Sequence, residues 1–271
     1  MRVVVHLSDL HFGAVDTRLL EPLRRRVLEI APQLVAVSGD LTQRARPGQF
    51  REARRFLDTL PKPQLIVPGN HDVPLYNVFQ RFFAPLDKFR RYICGDLVPF
   101  HVDEELAVVG VSTARSNVFK GGRINAEQVE RVRSRLCALP DETTKIVVTH
   151  HPFDMPLHWD ARHQLAGRAA MALEALARCG ASVYISGHMH RSNAGESSFP
   201  FDIGSFRALM VGAGTATSTR RRSEANSFNA LRISSRHIVV ESFEWDEKAE
   251  VFDTVRSSSF RRSPQGWQTS G

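Results

Sequence analysis

Short, β-branched apolar runs alternate with longer amphipathic stretches through the first half of the chain, the pattern of strands joined by helical crossovers. Val3–Leu7, Leu34–Val37 and Leu65–Val67 read as strands, with helices over Arg18–Ile30 and Gln49–Leu60 between them. Further on, Val78–Tyr92 reads as a helix and Leu106–Val111 as a strand. In Ala126–Leu139, Val129, Val132 and Leu136 form an apolar stripe with Glu127, Glu130 and Arg131 outside it, which predicts an amphipathic helix. Lys145–Thr149 and Ser182–Ser186 are again strand-like, and the alanine-rich stretch Ala166–Cys179 between them ends at Gly180, a residue suited to a helix C-cap.

After Ala208 the character changes. Leu209–Val211, Asn229–Ile233 and His237–Trp245 read as strands separated by Gly, Ser and Arg clusters, with no helical period, so a largely antiparallel sheet is expected there. The expected organisation is one domain over residues 1–255 and a disordered tail over 256–271, where Ser and Arg dominate.

Composition adds few constraints. Over 271 residues, 42% are hydrophobic and 24% charged, ordinary globular values that exclude whole-chain disorder. Cys94, Cys137 and Cys179 are odd in number, far apart and outside any CxxC pair, so they are read as reduced. No stretch approaches the length of a membrane span and the opening apolar run is too short for a signal peptide; a cytoplasmic protein without membrane association is expected. The net charge of +7 suits an anionic substrate. Its arginine runs (Arg24–Arg26, Arg220–Arg222, Arg261–Arg262) lie on a helix, a loop and the tail, so nucleic acid is not the favoured partner. Homo-oligomerisation is left open.

The chemistry concentrates at strand ends. Asp9 and His11, Gly39 and Asp40, Gly69 to Asp72, His150 and His151, and Gly187 to His190 each follow a strand-like run. In α/β sheets ligands collect at the carboxyl ends of strands, so five such blocks can converge. Singly, each aspartate could cap a helix and each histidine could fill a core hydrogen bond. Together they would crowd imidazoles and carboxylates at a cost that a cation removes. Oxygen and imidazole donors without thiolates suit Mn, Fe, Zn, Co or Ni. Asp9, His11, Asp40, Asn70, His150, His188 and His190 exceed what one tetrahedral centre uses, so two divalent or mixed-valence ions are expected.

These blocks resemble the calcineurin-like metallophosphoesterases, whose pattern DxH, GD, GNH(D/E), H and GHxH appears in order as Asp9-Leu10-His11, Gly39-Asp40, Gly69-Asn70-His71-Asp72, His150 and Gly187-His188-Met189-His190. The resemblance implies an α/β (α+β) four-layer sandwich, two mixed β-sheets face to face with helices outside. It implies that Asp9, His11 and His190 bind one metal, that Asn70, His150 and His188 bind the other, and that Asp40 bridges them. A metal-bridging hydroxide would then attack the phosphorus, with His71 on the phosphate or leaving oxygen and Asp72 orienting its ring. His151, next to His150, is a candidate to face the substrate. Within the superfamily the GNHD block and the HHP segment resemble the bacterial cyclic-nucleotide phosphodiesterase and glycerophosphodiesterase branch, implying a small phosphodiester substrate. Trp159, in the loop Phe153–His163, is a candidate wall for it. A nuclease, a phosphomonoesterase or pyrophosphatase, and a non-catalytic scaffold of the same fold are the competing readings.

Overall fold

The computed structural model describes residues 1–116, 121–155, 164–198, 206–219 and 224–270. One seven-stranded sheet has the order β13-β12-β11-β10-β1-β2-β3. Its strands are β1 (Arg2–Leu7), β2 (Leu34–Val37), β3 (Gln64–Ile66), β10 (Ser227–Ile233), β11 (His237–Asp246), β12 (Val251–Ser263) and β13 (Gly266–Ser270). The other sheet, β4-β5-β6-β7-β9-β8, comprises β4 (Phe100–Val102), β5 (Leu106–Gly110), β6 (Thr144–Thr149), β7 (Ala181–Ser186), β8 (Asn193–Glu196) and β9 (Leu209–Gly212). Both sheets are mixed: β1, β2 and β3 are parallel, as are β5, β6, β7 and β9, while β10 to β13 run antiparallel.

The period of two in these strands divides the core. Val5 and Leu7, with Val35 and Val37, face α1 (Leu20–Ile30) and α2 (Pro47–Asp58), whereas Val4, Leu34 and Ala36 face the second sheet. Likewise Ala107 and Val109 meet α5 (Ala126–Cys137) and α6 (Ala169–Ala177), while Leu106 and Val108 turn inward. The result is the expected sandwich, helices outside two sheets packed face to face. Helix starts follow local chemistry: Pro47 opens α2, and Asn125 and Gln128 cap α5 reciprocally, each side chain accepting the other's backbone N–H.

Three expectations need correction. The stretch Val78–Tyr92 is two helices, α3 (Val78–Phe83) and α4 (Asp87–Tyr92), because Pro85 has no N–H to continue the ladder. The expected tail from Arg256 is instead the end of β12 and all of β13, held by antiparallel pairing. Its polar composition misled because it forms the edge of the sheet and buries only a few anchors, among them Phe260 and Trp267. Short β4 and β8 also carry too few residues to show a period. Finally, Cys137 and Cys179 are joined in a disulfide, leaving Cys94 free. The ends of α5 and α6 lie together over the second sheet, a juxtaposition that sequence spacing does not reveal. The pair removes one support from the expectation of a reducing compartment. Among the described residues no helix is long and apolar enough to cross a membrane.

Candidate metal centre

The loops after β1, β2, β3, β6 and β7 meet at one edge of the sandwich, and the seven expected ligands meet with them. Five of the seven, Asp9, His11, Asp40, His188 and His190, occupy left-handed backbone with φ between 50° and 69°. Such residues usually cost on the order of 1 kcal/mol or more each and persist where surrounding structure fixes them. The Gly39 backbone has φ +99°, and a Cβ there would stand 2.8 Å from His150 Nδ1. At Gly69 a Cβ would overlap Asp40 Oδ1, so that loop approaches the carboxylate only without a side chain.

Each carboxylate is aimed by its outer oxygen. Asp9 Oδ2 accepts from Ser8 Oγ at 2.6 Å and from the His188 backbone N–H at 3.1 Å, which leaves Oδ1 pointing at His11 Nε2 and His190 Nε2, 3.4 Å from each. Asp40 Oδ1 accepts the His71 backbone N–H at 2.8 Å, while Oδ2 stands 3.7 Å from His11 Nε2 and 3.4 Å from His150 Nε2. Asp40 therefore sits between two groups of donor atoms.

The imidazoles are aimed the same way. His150 Nδ1 lies 2.8 Å from the Ser38 carbonyl; a carbonyl only accepts, so Nδ1 carries a proton and Nε2 turns to Asp40 and to Asn70 Oδ1, 3.1 Å away. His190 Nδ1 pairs with Thr215 Oγ1 at 2.6 Å and His188 Nε2 with Gln164 Oε1 at 3.1 Å. These partners fix which ring nitrogen faces the centre.

Burial and charge oppose one another across the centre. Burial works to raise the Asp9 carboxyl, but His190, His11 and His150 outweigh it and hold the group low. Burial opposes ionisation of Asp40 too, and is overcome by His150, His11 and His71. His150, against its own burial, is pushed up to about 9 by Asp40 and Asp9, while His188 is pushed down to about 3 by burial and by the neighbouring His150. Asp9 Oδ1 and His11 Nε2 are buried and make no hydrogen bond. The same crowding at His150 Nε2, between Asp40 Oδ2 and Asn70 Oδ1, is relieved in the metal-free protein by a proton on that nitrogen. Lone pairs converging on one another in a dry site are the signature of a cation site. The groups Asp9–His11–His190 and Asp9–Asp40–His150 each hold their donor atoms within 4.8 Å, so the residues present fit metal ions.

The remaining expected site residues divide. The His71 ring stands edge-on to His11 at 4.9 Å, with Nδ1 3.0 Å from the Gln43 carbonyl. Asp72 does not orient that ring, contrary to expectation. It accepts from the backbone N–H groups of Leu41, Thr42 and Gly69 and from Thr42 Oγ1, tying two loops together. His151 is fully buried, pairs with Thr113 Oγ1 at 2.8 Å and lies 4.4 Å from the His188 ring; it supports the cluster from behind and lines no exposed wall. Trp159 lies outside the described residues. Sequence reasoning missed the aiming roles of Ser8, Ser38, Gln43, Gln164 and Thr215. Only Ser8, adjacent to Asp9, carried a local signal.

A metal-dependent phosphoesterase is the class of protein that this fold and this clustered donor set describe. The family model described as calcineurin-like phosphoesterase matches residues 2–192, and the chain belongs to that metal-dependent family. It is 34% identical over 86 residues to a glycerophosphodiester phosphodiesterase GpdQ of Enterobacter lignolyticus, covering 26% of this chain and 29% of the relative. A probable GpdQ of Arcobacter nitrofigilis is 24% identical over 70% of this chain and 72% of its own. A probable cyclic nucleotide phosphodiesterase of Synechococcus is 23% identical over 55% of this chain and 57% of its own. The chain thus spans less than a third of the first relative. The fold is similar to that of PhoD (TM-score 0.72, 9% identity, 100% of this chain and 71% of that one). It is also similar to a purple acid phosphatase from yellow lupin seeds (TM-score 0.65, 12% identity, 95% and 53% coverage).

Proposed function

We propose that the protein hydrolyses a small phosphodiester with two metal ions, Asp9, His11 and His190 holding one, Asn70, His150 and His188 the other, and Asp40 both. The observation carrying this reading is Asp40 Oδ2, which faces His11 Nε2 on one side and His150 Nε2 on the other, as a bridging carboxylate must. When bound, the ions would supply Lewis acidity: an activated water as nucleophile and neutralised charge on the phosphoryl oxygens. The chain's own part is to orient and to move a proton. The Gln43 carbonyl fixes the His71 Nδ1–H, so Nε2 is the atom that holds a proton for the leaving oxygen. The preference for diesters rests on the relatives, all three named as phosphodiesterases.

The test is hydrolysis of bis(p-nitrophenyl) phosphate and of p-nitrophenyl phosphate after chelation, with Mn, Fe, Zn, Co and Ni restored singly. The reading expects metal-restored turnover, faster on the diester and absent in Asp40→Asn. Faster monoester turnover would replace the diesterase assignment, and failure of every metal on both esters would count against catalysis by this centre.

A further inference from the structure

Helix α3 is inside out. Its one buried side chain is Arg81, 4% exposed, whose Nη1 donates to the Pro74 carbonyl. Its aromatic residues face solvent: Phe79 is 74% exposed, Phe83 76%, and Phe82, Val78 and Tyr76 are exposed with them. Five of the nine large apolar side chains that are exposed among the described residues fall in this eight-residue stretch. None of them joins a core cluster, although Phe89 in the next helix is fully buried. Folding alone would place phenylalanine inward and arginine outward, so this face is made for something other than the core.

Charge indicates what covers it. With Arg81 turned inward, the cations left at the surface between Pro74 and Tyr92 are Lys88, Arg90 and Arg91, against one carboxylate, Asp87. Lys88, Arg90 and Arg91 line a surface depression together with Gln80 of α3, and the Arg44 guanidinium stands 5.9 Å over the Tyr76 ring. Solvent-facing aromatics bordered by cations fit a bilayer interface, where rings enter the acyl boundary and cations meet lipid phosphates. A second protein copy would set this cationic rim against its own like charges.

We propose that α3 and the cations around it form a docking surface for an anionic lipid bilayer, which departs from the sequence expectation of no membrane association. The surface adjoins the metal centre: Arg44 on Tyr76 follows Gln43, whose carbonyl holds His71. Docking would therefore present the catalytic edge to the lipid headgroups. The proposal concerns binding and stands whether or not the centre turns over a phosphodiester.

The test is co-sedimentation of the full chain with vesicles of phosphatidylcholine alone or mixed with phosphatidylglycerol, at low and high salt. Binding is expected on the anionic vesicles and should fall as salt rises. The pair Phe79→Ser/Phe83→Ser should weaken it about tenfold or more by removing inserted apolar area. The pair Arg90→Gln/Arg91→Gln, which leaves the apolar face intact, should weaken it about twenty-fivefold, at roughly fivefold per cation. Absence of wild-type binding to anionic vesicles, or binding unchanged in both folded variants, would overturn the proposal. So would a wild-type dimer in sedimentation velocity that the Phe79→Ser/Phe83→Ser pair dissociates, since a second copy would then own the face.

Discussion

His150 Nε2 stands 3.4 Å from Asp40 Oδ2 while its Nδ1 is held by the Ser38 carbonyl at 2.8 Å. Without metal, Asp40 and then Asp9 favour a proton on Nε2 and, against burial, push His150 up to about 9. The folded value lies above the unfolded one, near 6.5. The shared proton therefore stabilises the metal-free protein fully below pH 6.5, and that contribution fades as pH rises through 9. A metal ion at Asn70, His150 and Asp40 must displace it. Titration with Mn or Zn near pH 7.5 should release about one proton, read as a dependence of the calorimetric heat on the buffer's ionisation enthalpy. The release should vanish above pH 9, and a heat independent of buffer at pH 7.5 would show that His150 enters the site already neutral.

The His71 ring stands edge-on to His11, and its Nδ1 is held by the Gln43 carbonyl. Replacing it removes a proton donor but no expected ligand. His71→Ala should lower kcat on the diester by about 10²- to 10⁴-fold, the usual range for a lost general acid. Metal content by elemental analysis should stay near that of the wild type. Because Asp40 Oδ1 accepts the His71 backbone N–H, which alanine retains, equal loss of metal and turnover would assign His71 to the coordination shell.

Asp72 gathers four donors from two loops, so its work is structural. Asp72→Ala would leave the N–H groups of Leu41, Thr42 and Gly69 buried without an acceptor. A loss of about 3 kcal/mol or more is expected, at 1–3 kcal/mol for each stranded group with partial relaxation. The urea midpoint measures it, and an unchanged midpoint together with abolished turnover would restore the catalytic role that sequence suggested.

The residues of the cluster were legible because metal chemistry needs particular residue types, and because a strand followed by His, Asp or Asn places them at a sheet edge. Their aiming was not. Thr215, Gln164 and the Ser38 carbonyl act on His190, His188 and His150 from 25, 24 and 112 residues away, and a hydroxyl, an amide and a backbone oxygen leave no motif. The fold shows the same division. Two-sided apolar strands such as β6 announce themselves, whereas β12 is mostly polar on the outside and exists through its register with β11. The inverted pattern of α3 was hidden for the opposite reason: in sequence its phenylalanines look like core.

Away from the donor atoms, His6 provides a test of the electrostatics of the buried strand. It is fully buried in β1, its Nε2 pairs with Ser38 Oγ at 2.9 Å, and its Nδ1 has no hydrogen-bond partner. Burial pushes it down to about 3, against a small opposing pull from Asp9. The folded value lies below the unfolded one, so the stability it contributes is fully present above pH 6.5 and is lost as pH falls towards 3. The loss runs at about 1.4 kcal/mol per pH unit, or roughly 2 kcal/mol between pH 6.5 and 5. His6→Gln keeps a polar reach to Ser38 and does not titrate. In chelated protein its urea-derived stability should fall less steeply over that interval, by about the same 1.4 kcal/mol per unit. His188, depressed in the same direction, leaves a residual acid slope in the variant. An identical slope in wild type and His6→Gln would mean that β1, the strand leading into Asp9 and His11, opens to water before His6 is protonated.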